Sequence, residues 1–468
     1  MDIWIYFHQQ TTSIPNTILI HITTSSVRRP MEMFHPLIPG LLYPVFLLVR
    51  AIVHLFRNIC WKLSGSTAAS SNATRPDAPM KCAHVLKVKW RFKFDVLIQS
   101  NKPEDFVLFH ESFEYPEYVL KDEITLYHIN TREAMFVECQ KGSSVWDLRE
   151  FSFSKEAQFR LAEKVIIMPI GAAKKLVYSL GRLRDKIIFM GNTSRCGSTL
   201  LCRMFQSTGH YISYVEPGVL GDLMPCVEHE DDPDVAEYIM TTLTLLCKPC
   251  QQNPAIEGHV IKIATSSTKI IQCLHKLLPK AHYLFVYRNL LPVMKSVARI
   301  VPSLPYTHLY SLLNLLSAKW AENFSTYHNR YEEHSYLDED FVSPYRRIIP
   351  LCLQAVLCYF SFLKQGISIC AVRYEDLIQD PEGSLKSIFS VCDIHHGYIP
   401  KALIPLDHDA QEKSALSGTK IVNLKIPEFT DVEKEQVRKM CECYGIPNIL
   451  IDKVYPHTVT LSGSWLRK

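Results

Sequence analysis

The stretch that most constrains the fold of this chain is residues 186–205, KIIFMGNTSRCGSTLLCRMF. Its first part, residues 187–190, is a short continuous apolar run of the kind that a buried parallel strand needs, and small polar residues follow at once. Apolar residues then recur at helical spacing over residues 200–205. The stretch therefore predicts a strand, a tight loop and a helix, in that order.

The predicted loop has the properties of an anion site. Free backbone N–H groups and the positive end of the dipole at a helix N-terminus favour phosphate, and Gly197 lets a ligand approach the backbone closely. Ser194, Ser198 and Thr199 add hydroxyl donors, and the guanidinium of Arg195 matches phosphate or sulfate oxygens. An ATP-binding loop of the Walker type requires a lysine directly after its second glycine, and Ser198 stands at that position here.

This loop resembles the 5′-phosphosulfate-binding loop of the sulfotransferase family, in which a basic residue, any residue, Gly and two Ser or Thr form a strand-to-helix turn. The matching residues are Arg195, Cys196, Gly197, Ser198 and Thr199. Loops of small residues before helices are also common as ordinary turns, so the loop alone leaves both interpretations open.

A second phosphate-binding element is predicted at Arg288, which follows the apolar run at residues 281–287. Ser296 lies eight residues further on, two turns into the next predicted helix, and such a pair can grip one phosphate. The spacing resembles the family's 3′-phosphate-binding element. Asn289 and Leu290 stand where the family typically has Asp and Pro, which puts the shape of this loop in question.

The predicted fold class is α/β, with a parallel sheet flanked by helices in a three-layer sandwich of the P-loop NTPase type. The four predicted core strands, each apolar without alternation and each followed by a helix, are residues 187–190, 259–264, 281–287 and 368–374. The string RYEDL at residues 373–377 resembles the element that ends the last core strand in sulfotransferases. Three such elements in the family's order favour a sulfotransferase-like domain over an unrelated phosphate-binding domain.

Composition shifts divide the chain into a leader, a linker, a strand-rich appendage and a sulfotransferase-like domain. Their predicted bounds are residues 1–63, 64–80, 81–150 and 151–468. The appendage begins with HVLKVKWRFKF, whose alternation is typical of a half-buried antiparallel strand, whereas residues 153–180 are predicted to be helical. The linker contains the glycosylation pattern Asn72-Ala73-Thr74.

A membrane anchor is one interpretation of residues 37–56, which are about long enough to span a bilayer although Arg50 interrupts them. Arg28 and Arg29 precede the segment, so it is predicted to be a type II signal anchor that places a glycosylated catalytic domain in the Golgi lumen. Asn323 is a second candidate for glycosylation. The alternative is an amphipathic or poorly ordered leader on a cytoplasmic protein.

The net charge of +4 and the lack of long Lys/Arg runs argue against a nucleic-acid partner. The 15 cysteines are scattered, and the single CxxC unit, Cys247 and Cys250, has no second pair at zinc spacing. We therefore expect no metal site. Nothing in the sequence indicates an oligomeric state.

The resemblance implies a donor co-substrate, 3′-phosphoadenosine 5′-phosphosulfate, and transfer of its sulfuryl group to a hydroxyl of a glycan or small molecule. Under this hypothesis residues 194–199 hold the 5′-phosphosulfate and Arg288 with Ser296 holds the 3′-phosphate. Arg195 would also stabilise charge on the leaving phosphate, and Glu216 would be the general base. Glu216 alternatively only caps a turn before Pro217.

Two other functions stay open. One is a nucleotide-binding protein of the same fold without activity, which the replacements at Asn289 and Leu290 favour; the other is a P-loop kinase or nucleotidase, which would need the missing lysine. His259 and His308 are the next candidates for the base. The family's glycine-rich C-terminal loop has only residues 417–420 as a weak match.

Overall fold

The structure is a computed structural model that describes residues 37–63, 81–97, 99–140, 145–181, 183, 186–250, 253–300, 317, 348–407, 428–443 and 454–459. Several predicted features lie outside these residues, namely Arg28, Arg29, the linker with Asn72, His308, Asn323 and residues 417–420.

The strands within the described residues form two sheets. Their bounds are β1 Ala83–Arg91, β2 Phe106–Glu114, β3 Ile124–Ile129, β4 Glu133–Cys139, β5 Ala162–Pro169, β6 Lys186–Asn192, β7 Tyr211–Val215, β8 Gly258–Lys262, β9 His282–Tyr287 and β10 Cys370–Arg373. The helices are α1 Leu37–Leu63, α2 Ser154–Leu161, α3 Ile170–Leu180, α4 Ser198–Ser207, α5 Val219–Asp222, α6 Pro233–Leu246, α7 Ile271–Leu277, α8 Leu290–Ile300, α9 Ile348–Lys364, α10 Tyr374–Gln379, α11 Pro381–Val391, α12 Ile399–Leu403 and α13 Asp431–Cys443.

The first sheet is antiparallel, with strand order β2-β1-β5-β4-β3. Its central strand, β5, lies in the segment predicted to be helical and beyond the predicted boundary at residue 150. The helix prediction is therefore wrong for residues 162–169, although α2 and α3 flank them. The run Val165-Ile166-Ile167 explains the difference, because β-branched side chains fit a pleated surface between two partner strands.

The second sheet is parallel throughout, with strand order β10-β9-β6-β8-β7. The four predicted core strands all lie in it, which confirms the predicted parallel sheet, and β6 lies at its centre. The fifth strand, β7, is the short apolar piece that ends before Glu216. Because all five strands are parallel, their carboxyl ends form one edge, where the predicted motifs lie.

Helices cover both faces of the parallel sheet. On one face, Phe189 and Phe285 pack in a core with residues of α7, α8 and α9, and this core continues to the antiparallel sheet through α3 and α6. On the other face, Ile188, Met190 and Val286 pack with α4, α11 and α12. The structure is thus a mixed α/β protein compatible with the predicted three-layer class.

Helix α1 contains residues 37–56, the segment predicted to be a membrane anchor. Phe46 is fully buried and packs edge-on against Trp90, and the Arg50 guanidinium donates to the carbonyls of Phe106 and Pro103, both at 3.1 Å. Neither α1 nor any other helix in the described ranges is long and apolar enough to cross a membrane.

The segment at residues 454–459 lies along β10, the outer strand of the parallel sheet. The Ala371 amide donates to the His457 carbonyl at 3.0 Å, and the Val459 amide donates to the Ala371 carbonyl at 2.9 Å. Tyr455 stacks on Tyr287 with ring centroids 3.9 Å apart. This segment therefore supplies hydrogen bonds to the outer side of β10.

Candidate functional site

The loop after β6 has an unusual backbone that suits an anion. Ser194, Arg195 and Gly197 have φ values of 61°, 46° and 77°, all in the left-handed region. The Asn192 side chain accepts from the Ser194 amide at 3.0 Å and donates to the Ile263 carbonyl at 2.7 Å, which fastens the start of the loop to the end of β8. Left-handed residues before a helix form a concave arrangement of N–H groups that binds anions. The backbone of this loop therefore has the geometry that could hold an anion such as phosphate or sulfate.

Gly197 is required by both its conformation and its surroundings. A Cβ atom added at Gly197 would lie 2.6 Å from the ring of Tyr374, far inside van der Waals contact. Tyr374 is the first residue of α10, directly after β10. The loop after β6 and the RYEDL string, about 180 residues apart in the sequence, are therefore in direct contact.

The predicted 3′-phosphate element reaches the same place. The Arg288 guanidinium lies over the Tyr374 ring, with its central carbon 4.6 Å from the ring centroid. The Arg288 Nε atom is buried and has no hydrogen-bond partner in the described part of the chain. A buried guanidinium N–H without a partner is costly, and an anionic oxygen would satisfy it.

Arg195 and Ser296 were predicted to act on different phosphates, and the structure brings them together. The Arg195 Nε atom donates to the Ser296 hydroxyl oxygen at 2.9 Å. Arg195 therefore spans the distance between the loop and α8.

The remaining loop residues differ in what their side chains face. Cys196 is fully buried and its thiol points at the Val286 carbonyl, 3.1 Å away, so this residue offers a ligand its backbone only. Ser198 and Thr199 are buried at the start of α4. The Thr199 hydroxyl accepts from the Lys262 ammonium at 3.3 Å.

Glu216 lies at the end of β7 in a strained conformation, with φ of 53°. Its amide donates to the Lys262 carbonyl at 2.9 Å, and its carboxylate forms an ion pair with the Lys262 ammonium at 2.8 Å. Burial acts to raise the pKa of Glu216, but the positive charges of Lys262 and Lys155 outweigh it, so the pKa lies below its ordinary value. Strain of this kind persists only where the surroundings enforce it, and it clusters at functional sites.

Lys262 is the site residue that the sequence analysis missed. It is only 4% exposed, at the carboxyl end of β8, and contacts both Glu216 and Thr199. The available signal was a lysine in the otherwise apolar run VIKIA, residues 260–264, since lysine is almost never fully buried without a partner.

The two replacements in the second element have different consequences. Asn289 contacts the RYEDL string in two ways. Its backbone N–H donates to a Glu375 carboxylate oxygen at 3.1 Å, and its side-chain oxygen lies 3.5 Å from an Arg373 nitrogen. Leu290 is buried and begins α8. The loop is thus hydrogen-bonded to the residues that end β10 and begin α10.

His259, a reserve candidate for the base, lies elsewhere. It is fully buried in the first half of β8, where its Nδ1 atom is 3.1 Å from the Tyr214 hydroxyl. The carboxyl edge of the sheet is at the opposite end of this short strand, so His259 is separated from Thr199 and Glu216. The structure thus places it in the core.

Fold and site together define a class: an α/β protein with a left-handed, strand-to-helix loop and a set of arginine, lysine and glutamate side chains at the carboxyl edge of its parallel sheet. Neither a protein-family model nor a curated protein matches the chain. Solved structures similar to it include the sulfotransferase STF9 from Mycobacterium avium, with a TM-score of 0.32 and 12% identity over 58% of this chain and 80% of that one. Another is the sulfotransferase STF1 from Mycobacterium tuberculosis, with a TM-score of 0.28 and 11% identity over 54% of this chain and 82% of that one. Likenesses at these TM-scores do not assign a family, so the function is inferred from the site.

Proposed function

We propose that the protein transfers a sulfuryl group from 3′-phosphoadenosine 5′-phosphosulfate to a hydroxyl of a glycan or other acceptor. One observation carries the proposal: three segments that resemble sulfotransferase elements converge at one sheet edge. Gly197 contacts Tyr374, Tyr374 lies under Arg288, and Arg195 binds Ser296. The parallel sheet brings these segments to one edge, and the residues that meet there, two arginines and a serine beside the loop, are of the types that bind phosphate oxygens.

The residues of the site suit the two charged ends of this donor. The backbone of residues 194–199 would bind the 5′-phosphosulfate, and Arg288 with Ser296 would bind the 3′-phosphate. Arg195, which already reaches Ser296, would neutralise charge between them. The unpartnered Nε atom of Arg288 offers the hydrogen bond that a phosphate oxygen needs.

The proposed reaction is an in-line displacement at sulfur. The acceptor oxygen forms a bond to sulfur while the bond from sulfur to the 5′-phosphate oxygen breaks, and the acceptor proton passes to Glu216. Negative charge grows on the leaving phosphate, where Arg195 and Lys262 can stabilise it. Glu216 is ionised near neutral pH and can therefore accept the proton, but the lysine charges that lower its pKa also make it a weaker base than an ordinary glutamate.

Nucleotide preference tests the donor class without knowledge of the acceptor. Adenosine 3′,5′-bisphosphate, the product of the donor, is expected to raise the melting temperature, since a ligand at a hundred times its Kd stabilises the folded state by about 2.7 kcal/mol. ATP with Mg²⁺ at the same concentration is expected to have a much smaller effect. A larger shift with ATP and Mg²⁺ would favour the P-loop kinase or nucleotidase instead.

Arg288→Ala is expected to weaken binding of adenosine 3′,5′-bisphosphate by about 1.5–3 kcal/mol, the value of a hydrogen bond to a charged group. Binding of adenosine 5′-phosphosulfate, which lacks the 3′-phosphate, should stay nearly unchanged. Titration calorimetry measures both, and Arg299→Ala is a matched control because Arg299 is an exposed arginine of α8, the helix that follows Arg288. Equal losses for the two nucleotides would rule out this role for Arg288.

A further inference from the structure

The strained turn at residues 216–218 is held from the side of the antiparallel sheet. The Val215 amide, next to Glu216, donates to the Ser154 hydroxyl oxygen at 2.9 Å, and this bond is buried. Ser154 is the first residue of α2, which packs on the antiparallel sheet through Ala157 and Phe159. A residue outside the parallel sheet therefore fixes the strand end that carries Glu216.

Asn101 makes a second contact with the same turn. A Cβ atom added at Gly218 would lie 2.8 Å from the Asn101 side chain, so the turn packs directly on it. Asn101 is fully buried and immobilised, because its side chain accepts from the Lys93 ammonium at 2.7 Å and donates to the Tyr127 carbonyl at 3.1 Å. The turn thus rests on a rigid polar group of the antiparallel sheet region.

Lys155, the second residue of α2, brings a positive charge to the same place. It is only 8% exposed, and no hydrogen bond or ion pair within 4 Å joins its ammonium to a described residue. Glu216 and Asp95 are its principal opposite charges; Glu156 adds a weaker attraction, and Lys262 and Lys93 repel it. Burial lowers the pKa of Lys155. A charged lysine at this position therefore destabilises the folded state unless a nearby negative charge offsets the cost of burial.

We propose that the antiparallel sheet region is a working part of the site, and that Lys155 is a positioning residue for the Glu216 carboxylate. The buried hydrogen bond between Ser154 and Val215 brings together the two segments in which Lys155 and Glu216 are the next residues. Ser154 and Asn101 fix the backbone on either side of Glu216, and the positive charge of Lys155 attracts the Glu216 carboxylate. The carboxylate then has one lysine from each part of the molecule. This inference rests on the proposed function, in which Glu216 takes the acceptor proton.

The charge that Lys155 supplies can be measured without an acceptor. In protein labelled with ¹³C at the glutamate carboxyl carbons, the Glu216 signal is the one that Glu216→Gln removes, and its chemical shift reports its titration. In Lys155→Met the pKa of Glu216 is expected to rise above its wild-type value, because one of two attractive charges is gone. Lys155→Arg should restore a midpoint close to wild type, whereas Lys164→Met, a control in β5, should change nothing.

A reciprocal variant covers the case in which Lys155→Met fails to fold. Because the coupling of two sites is mutual, Glu216→Gln should make the Lys155 ammonium lose its proton at lower pH, as seen in its ¹⁵N signal. An unchanged Glu216 midpoint in Lys155→Met, or an unchanged Lys155 midpoint in Glu216→Gln, would overturn the inference. Binding of adenosine 3′,5′-bisphosphate to the wild type is scored separately, since its absence would reject the proposed function without touching the coupling.

Discussion

Glu216→Gln is expected to lower the rate of sulfuryl transfer by about a hundredfold or more, the usual contribution of a general base. The amide keeps the size of the side chain and can still accept from Lys262, so the affinity for adenosine 3′,5′-bisphosphate should stay unchanged. The lost function is the capacity to take the acceptor proton. The effect should therefore appear in kcat and not in donor binding.

The measurement needs an acceptor, found by screening glycans, tyrosine peptides and small alcohols with ³⁵S-labelled donor. Gln206→Ala serves as a control for a substitution on α4 outside the site. Normal turnover by Glu216→Gln would move the base to another residue. A wild-type protein that binds the bisphosphate and transfers sulfate to none of these acceptors would instead support the non-catalytic alternative.

Of the single substitutions considered, Lys262→Met is expected to destabilise the protein most, by about 3 kcal/mol in the free energy of unfolding. Breaking a buried ion pair by removing one partner costs about 3–5 kcal/mol, and the lower end applies because Lys155 still offsets the charge of Glu216. The double variant Lys262→Met/Glu216→Gln should lose less than the sum of the single variants, since it leaves no unpaired carboxylate.

Urea denaturation monitored by tryptophan fluorescence, at neutral and at acidic pH, measures the stability lost in Lys262→Met. The folded-state pKa of Glu216 is depressed, so its stabilisation is present above the unfolded pKa and is lost as pH falls through the folded pKa. The penalty of Lys262→Met should therefore shrink at acidic pH, where protonated Glu216 no longer needs a cation. A penalty below about 1 kcal/mol at neutral pH would show that the ion pair contributes little.

Much of the parallel sheet could be predicted because its strands are locally unambiguous. Residues 281–287 and 368–374 are apolar without alternation and end at charged residues, a pattern that few other structures produce. Strand β5 could not be predicted in the same way, since short apolar runs fit both a helix and a strand. Its pairing with β1 and β4 decides the outcome, and pairing is a long-range property.

Some residues of the candidate site could likewise be predicted from local sequence, and others depend on long-range packing. Gly197, Arg195 and Arg288 stand in local motifs, so their types and spacing carry information about phosphate binding. Lys262 and Lys155 have no such motif, and their importance comes from burial beside Glu216. The contact of Gly197 with Tyr374 is likewise invisible in the sequence, because it depends on how β6 and β10 are placed in one sheet.

The segment at residues 454–459 has a consequence for how the protein behaves in solution. Without it, β10 would present free amide and carbonyl groups along an apolar parallel sheet, a template to which strands of other molecules add. Tyr455 and Thr458 anchor the segment through Tyr287, so its own chain occupies the outer side of β10. The segment thus satisfies backbone groups on the outer side of β10, and we expect its removal to make the protein more prone to self-association through this strand.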